Sequence, residues 1–160
     1  MTKELESALL EWHFARKNTI AFINGLDEIG LKMKLPRPGL DTFCKHIEEM
    51  IDVQKCYLNA IDQGKISFNQ CKDKYDGNST KEDLLRQVVI LDEKLNNMVA
   101  NSDPSLEIDW GDEFKTLSSH LYALASHEIF HIGQWVSFCY SLDLRIPDEI
   151  VKNWALTSVS

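Results

Sequence analysis

A chain of 160 residues, 44% hydrophobic and 26% charged, has the make-up of one globular domain, large enough to bury a core without disulfide or metal staples. Its formal net charge of -8 and pI near 5.1 argue against nonspecific nucleic-acid binding, because a phosphate backbone repels such a surface unless a strong basic patch intervenes. No uninterrupted apolar run approaches the roughly 20 residues of a membrane span, and the opening MTKELESALLEW lacks a basic segment followed by an apolar block. The expectation is a cytoplasmic protein with neither nucleic acid nor membrane as partner.

From residue 3 to about 27, Leu5, Leu9, Trp12, Ile20 and Ile23 recur mostly at three- or four-residue steps and predict a first helix. Gly30, Pro36, Pro38 and Gly39 break that pattern. The basic string KMKLPR, residues 32–37, falls in this linker and is a candidate anion contact. Asp41 or Thr42 can cap a second helix reaching about residue 61, with Phe43, Ile47, Met50, Tyr57 and Ile61 turned inward and His46 beside them. After a polar, glycine-punctuated stretch, Ser79 with Glu82 offers a capping box for a third helix to about residue 98, faced by Leu84, Val88, Leu91 and Leu95.

LEIDW, at 106–110, is the best candidate for a short extended piece. Phe114, Leu117, Leu121, Leu124, Ile132, Trp135 and Phe138 then trace a fourth helix to about residue 142. Pro147 bars its continuation, and 148–154 suit a short terminal helix. Four amphipathic helices bury their stripes most simply as an all-α four-helix bundle. The linker between the second and third is long enough for a parallel crossover, which periodicity cannot choose over an up-down arrangement.

The chemistry concentrates in HEIFHIGQW. His127 and His131 stand four residues apart, which on a helix leaves a rotation of about 40° and a rise of about 6 Å, so both rings can reach one cation. Neutral imidazole is the commonest metal-donating side chain, and zinc or nickel accepts two or three. An open catalytic site needs a further protein donor. His120 lies on the same face, but a rise of about 10 Å separates it from His127 and favours a partly buried polar residue near the bundle end. His46 can aim across from a facing helix and is the preferred candidate, with His13 in reserve. Cys44, Cys56, Cys71 and Cys139 show no C-x-x-C pairing and read as buried small hydrophobes.

The segment LDTFCKHIEEMIDVQKCYL around His46, and SSHLYALASHEIFHIGQW around His127 and His131, together resemble the DinB-like superfamily of helical metal-dependent proteins. The likeness extends over nearly the whole chain, 1–160, since LPRPG and LRIPDEI are similar to the family's elements before and after these helices. One departure is the tryptophan common shortly before the first ligand, which is replaced around Leu40. The resemblance implies an up-down-down-up bundle with His46, His127 and His131 as ligands to a divalent ion, often nickel or zinc, with an open position. It also implies a small-molecule substrate, possible use of a low-molecular-weight thiol in transferase or isomerase chemistry, and homodimerisation, with Trp154 or Trp135 as candidate contacts.

Three neutral imidazoles leave the ion's charge uncompensated, so a thiol or water sharing its shell is expected to ionise near neutral pH. Glu128 is placed either as a base beside the site or in a surface salt bridge, and Gln134 as an internal hydrogen-bonding group. A zinc peptidase is the rival enzyme, with Glu149 as third ligand. Against it, no upstream strand pattern supplies a sheet edge for peptide, and Gln134 stands where the related three-histidine signature needs glycine. A noncatalytic bundle, stiffened by its ion or serving as an interaction module, is the alternative from another class.

Overall fold

In a computed structural model that describes residues 1–69 and 75–157, the chain is mainly helical. Four long helices carry it: α1 (Lys3–Gly25), α3 (Phe43–Gln63), α4 (Lys81–Asn101) and α5 (Leu117–Ser141). Two short helices, α2 (Glu28–Leu31) and α6 (Asp148–Asn153), and a hairpin of β1 (Glu107–Asp109) and β2 (Phe114–Thr116) complete the described elements. None of the described helices is long and apolar enough to cross a membrane.

Side-chain oxygens fix where the long helices begin. Thr2, Thr42, Thr80 and Thr116 each accept a hydrogen bond from a backbone N–H three residues on, satisfying a donor the helix leaves free. Two expected starts therefore move. The third long helix is capped by Thr80 rather than Ser79, whose N–H and hydroxyl both donate to Glu48 of α3. The fourth begins at Leu117, because Phe114–Thr116 pair antiparallel with Glu107–Asp109 after a reversal at Gly111, where φ is 92°. The extended piece expected at 106–110 is thus half of a hairpin, whose Ile108 is fully buried. At the other end of α3, Gly64 takes φ 71° as the left-handed cap, and Asp109 N–H donates to its carbonyl at 2.9 Å.

The expected inward stripes of α3 and α4 are all buried, as are Leu121, Leu124, Ile132 and Trp135 of α5. Relative directions follow from side chains that meet. Arg16 and His13 of α1 reach Asp92 and Asn96 of α4, so these two helices run antiparallel. Glu48 and Gln54 of α3 meet Ser79 and Asp92, which places α3 and α4 parallel. His46 and Tyr57 of α3 meet His131 and His120 of α5 in antiparallel order. Trp135 packs edge-on against Phe22 at 5.2 Å and Phe43 at 6.1 Å and is wholly buried. It therefore has no surface to offer a second copy, whereas Trp154 is partly exposed against Phe14.

Candidate metal centre

On α5, His127 and His131 meet edge-on with ring centroids 4.7 Å apart, as the four-residue spacing allows. Facing them on α3 are His46 and Glu49, one turn apart and bracketing the buried Ile47. The helices bring these four residues into one chain of contacts. His46 Nδ1 lies 2.9 Å from His131 Nδ1. His131 Nε2 lies 3.0 Å from Glu49 Oε2, and His127 Nε2 lies 3.5 Å from Glu49 Oε1.

Glu49, His127 and His131 offer ligand atoms that all lie within 4.8 Å of one another. Around an ion with bonds of about 2.1 Å, neighbouring ligand atoms stand about 3.0–3.4 Å apart, close to the carboxylate–imidazole separations found here. Hydrogen bonding leaves part of the group unsatisfied. Glu49 Oε2 and His127 Nδ1 are buried atoms without a hydrogen-bond partner, although Oε2 is at contact distance from His131. Unpaired buried polar atoms are costly, and a cation held between the carboxylate and the imidazoles would satisfy the Glu49 oxygen. The donor set, two imidazoles and a carboxylate, is one that could hold a divalent metal ion.

The charge state fits as well. Burial pushes the Glu49 carboxyl up, but the facing His127 and His131 imidazoles outweigh it and hold it at about 2, so it is ionised at neutral pH. Burial, with the His131 ring and the Arg37 guanidinium nearby, brings His46 down to about 4 and keeps it neutral. The centre is reachable: the side chains of His127 and Glu49 are 26% and 20% exposed.

The remaining candidates go elsewhere. His120 is wholly buried, with Nε2 at 3.0 Å from the Tyr57 carbonyl and Nδ1 accepting from Trp110 Nε1 at 3.2 Å. His13 is exposed and pairs with Asn96 at 3.0 Å. Glu128 is neither a base at the centre nor a surface ion-pair partner. It is buried toward α1, 2.8 Å from Arg16 Nη1, and accepts from the Thr19 hydroxyl at 2.6 Å. One residue along the helix means about 100° of rotation, which carries Glu128 off the His127 face. Glu149 pairs with Lys17 on the surface, so both carboxylates the peptidase reading needs are engaged away from the histidines.

Gln134 accepts from Arg37 Nη1 at 2.6 Å, an internal hydrogen bond of the kind expected for it. Cys44, Cys56 and Cys139 are free and buried, and Cys71 lies outside the described residues. Sequence reading missed Glu49. Its signal was its place three residues after His46, on the same face of α3 and so opposite the same stretch of α5.

The buried Arg16 was missed too. It joins all four long helices, with Asp92 of α4 at 3.2 Å, Gln54 of α3 at 2.6 Å and Glu128 of α5 at 2.8 Å. The chain matches no model of a known protein family, and no curated protein matches it.

Proposed function

We propose that this chain is a DinB-like metal-binding protein, an up-down-down-up four-helix bundle that uses a divalent ion, zinc or nickel, to activate a thiol or water toward a small electrophilic substrate. The observation that carries the reading is the convergence of Glu49, His127 and His131, with ligand atoms within 4.8 Å and two of the group's buried polar atoms unpaired. The helix directions described above support the topology.

In this reading Glu49, His127 and His131 hold the ion. His46, the ligand suggested by resemblance, braces His131 through the Nδ1–Nδ1 contact of 2.9 Å. Such an ion supplies Lewis acidity, lowering the pKa of a thiol or water that shares its shell. Glu49 offsets one of its charges. His46, neutral and buried, fixes which His131 nitrogen carries the proton and so how that ring is turned. The exposed edge of His127 and Glu49 leaves one side open for a substrate.

Metal titration of the purified protein tests the reading. One zinc or nickel ion per chain is expected in wild type, and none in Glu49→Ala or His131→Ala. Metal that stays in both variants would overturn the assignment. The metal-loaded protein is then assayed with an electrophile and a panel of low-molecular-weight thiols. Turnover above the uncatalysed rate that vanishes in Glu49→Ala supports catalysis. A rate unchanged by that substitution argues for a binding role alone.

A further inference from the structure

The basic string of the linker is used unevenly. Lys34 is engaged by Asp41 on the surface. Arg37, by contrast, turns toward the metal centre: its Nη1 donates to Gln134 Oε1 at 2.6 Å and lies 3.5 Å from His46 Nε2. Among the described residues no carboxylate pairs with Arg37, and both of its side-chain contacts use Nη1. A guanidinium has five N–H donors in a fixed fork, so most of its capacity is unspent at the edge of the site.

The loop holds this fork in place before any ligand arrives. Arg37 sits between Pro36 and Pro38, which restrict the backbone on both sides. Its N–H donates to the Leu35 carbonyl at 2.8 Å, while Leu35 is itself buried and donates to the Asp41 carbonyl at 2.8 Å. Beside the Arg37–Gln134 pair lies a cleft of about 360 Å³ lined by Ile129, Phe130, Gly133, Gln134, Ser137 and Phe138. No atom outside the neighbouring backbone lies within 4 Å of where a Gly133 side chain would begin. Packing therefore does not require glycine in this helix, where it costs about 1 kcal/mol against alanine, and its lack of a side chain widens the cleft.

We propose that Arg37 is an anion anchor and that the molecule taken by this site is a small organic acid. Its carboxylate pairs with the guanidinium while its apolar body lies along Phe130, Ile129 and Phe138. The inference takes its location from the metal reading above, but the anion contact stands on Arg37 alone. A carboxylate fits better than a phosphate dianion. Arg37 offers one positive charge and the Gln134 oxygen stands beside it, a setting that a monocarboxylate matches and a dianion exceeds.

Benzoate and its neutral counterpart benzamide are suitable probes, titrated into the zinc-loaded protein by calorimetry with zinc content measured on the same samples. Wild type is expected to prefer benzoate, and Arg37→Gln to weaken benzoate about tenfold or more while leaving benzamide binding and zinc content unchanged. Lys34→Gln, from the same basic string, is expected to change nothing. The proposal is overturned by equal benzoate affinity in wild type and Arg37→Gln, by an equal loss in Lys34→Gln, or by loss of zinc in Arg37→Gln, which makes Arg37 a brace for His46. Inorganic phosphate that outcompetes benzoate overturns the carboxylate class. A protein that takes no zinc yet binds benzoate through Arg37 refutes the metal reading and leaves the anchor standing.

Discussion

Two stretches of α5, two turns apart, use the same side chain for opposite ends. At His120 both ring nitrogens are satisfied, by the Tyr57 carbonyl and the Trp110 indole, and the ring is boxed by Tyr57 at 4.6 Å and Trp110 at 5.7 Å between centroids. At His127 and His131, α3 presents the Glu49 carboxylate beside His46, and Glu49 Oε2 and His127 Nδ1 are left unpaired. The difference lies in what α3 and the hairpin present to each ring. A carbonyl and an indole finish a histidine, while a carboxylate beside two imidazoles gathers a donor set that could hold a cation.

The largest expected effect breaks that contrast directly. His131→Ala is expected to lower zinc affinity by more than the 10–100-fold typical of losing an outer partner of a metal ligand. His120→Ala is expected to leave one ion per chain and instead to lower stability. Competition with a chromophoric chelator measures the first, and urea unfolding the second. Should His120→Ala lose the ion and His131→Ala keep it, the two stretches have been assigned the wrong way round.

Next in size is the Arg16 network, which meets α5 at Glu128, about 100° round the helix from His127. Removing the guanidinium in Arg16→Met strands Glu128 and Asp92, whose side chains are 1% and 19% exposed. Burial already raises the Asp92 carboxyl, against the pull of Arg16. Breaking such a buried pair costs about 3–5 kcal/mol, readable as a shift in the urea midpoint with the metal stoichiometry of the folded fraction unchanged. A cost below about 1 kcal/mol, the value of an exposed pair, would show that the network does not hold the helices together.

Why one half of α5 was legible in the sequence and the other was not follows from these partners. Helix periodicity exposes the buried stripes, so Phe43, Ile47 and Met50 of α3 and the leucines of α4 fell where expected. A histidine pair at four-residue spacing is likewise a local signal. Glu49 and Arg16 depend instead on which helix faces which, and charged residues at those positions resemble an ordinary solvated face until the pairing is known. Glu128 shows the opposite failure. Its place inside H-E-x-x-H suggested chemistry, but its direction is set by the 100° step from His127 and by an arginine more than a hundred residues earlier. The start of α5 was displaced for a similar reason, since Phe114 keeps the helical step in sequence yet is claimed by a strand partner, Asp109.

Acid sharpens the comparison. Burial brings His120 down to about 4 from its ordinary 6.5. Between those values the unfolded chain takes up a proton that the folded chain excludes, so stability is full above pH 6.5 and falls as pH drops toward 4, by about 3 kcal/mol for this ring. His46, also brought down to about 4, titrates in the same window, so His120→Gln is expected to remove only its own share of that slope in equilibrium unfolding. Glu49 acts in a lower window, because a carboxyl held at about 2 contributes above its ordinary 4.5 and loses that contribution as pH falls toward 2. An unchanged slope between pH 6.5 and 4 in His120→Gln would place the acid sensitivity on other groups.

The smallest effect separates the two ligand sets. If His46 acts as a brace, its contact with His131 Nδ1 orients that ring and supports its donor strength, and His46→Ala lowers zinc affinity by about 10–100-fold, within the range for outer partners. His46→Asn then recovers part of the loss, because an amide can also hydrogen-bond to the His131 ring nitrogen. A ligand behaves otherwise: removing it costs as much as His131→Ala, and asparagine recovers nothing. A cobalt-substituted sample distinguishes the cases independently of affinity, since the visible spectrum of the ion reports its donors. The brace predicts bands in His46→Ala that match wild type once the protein is saturated, and a changed spectrum assigns His46 to the coordination shell.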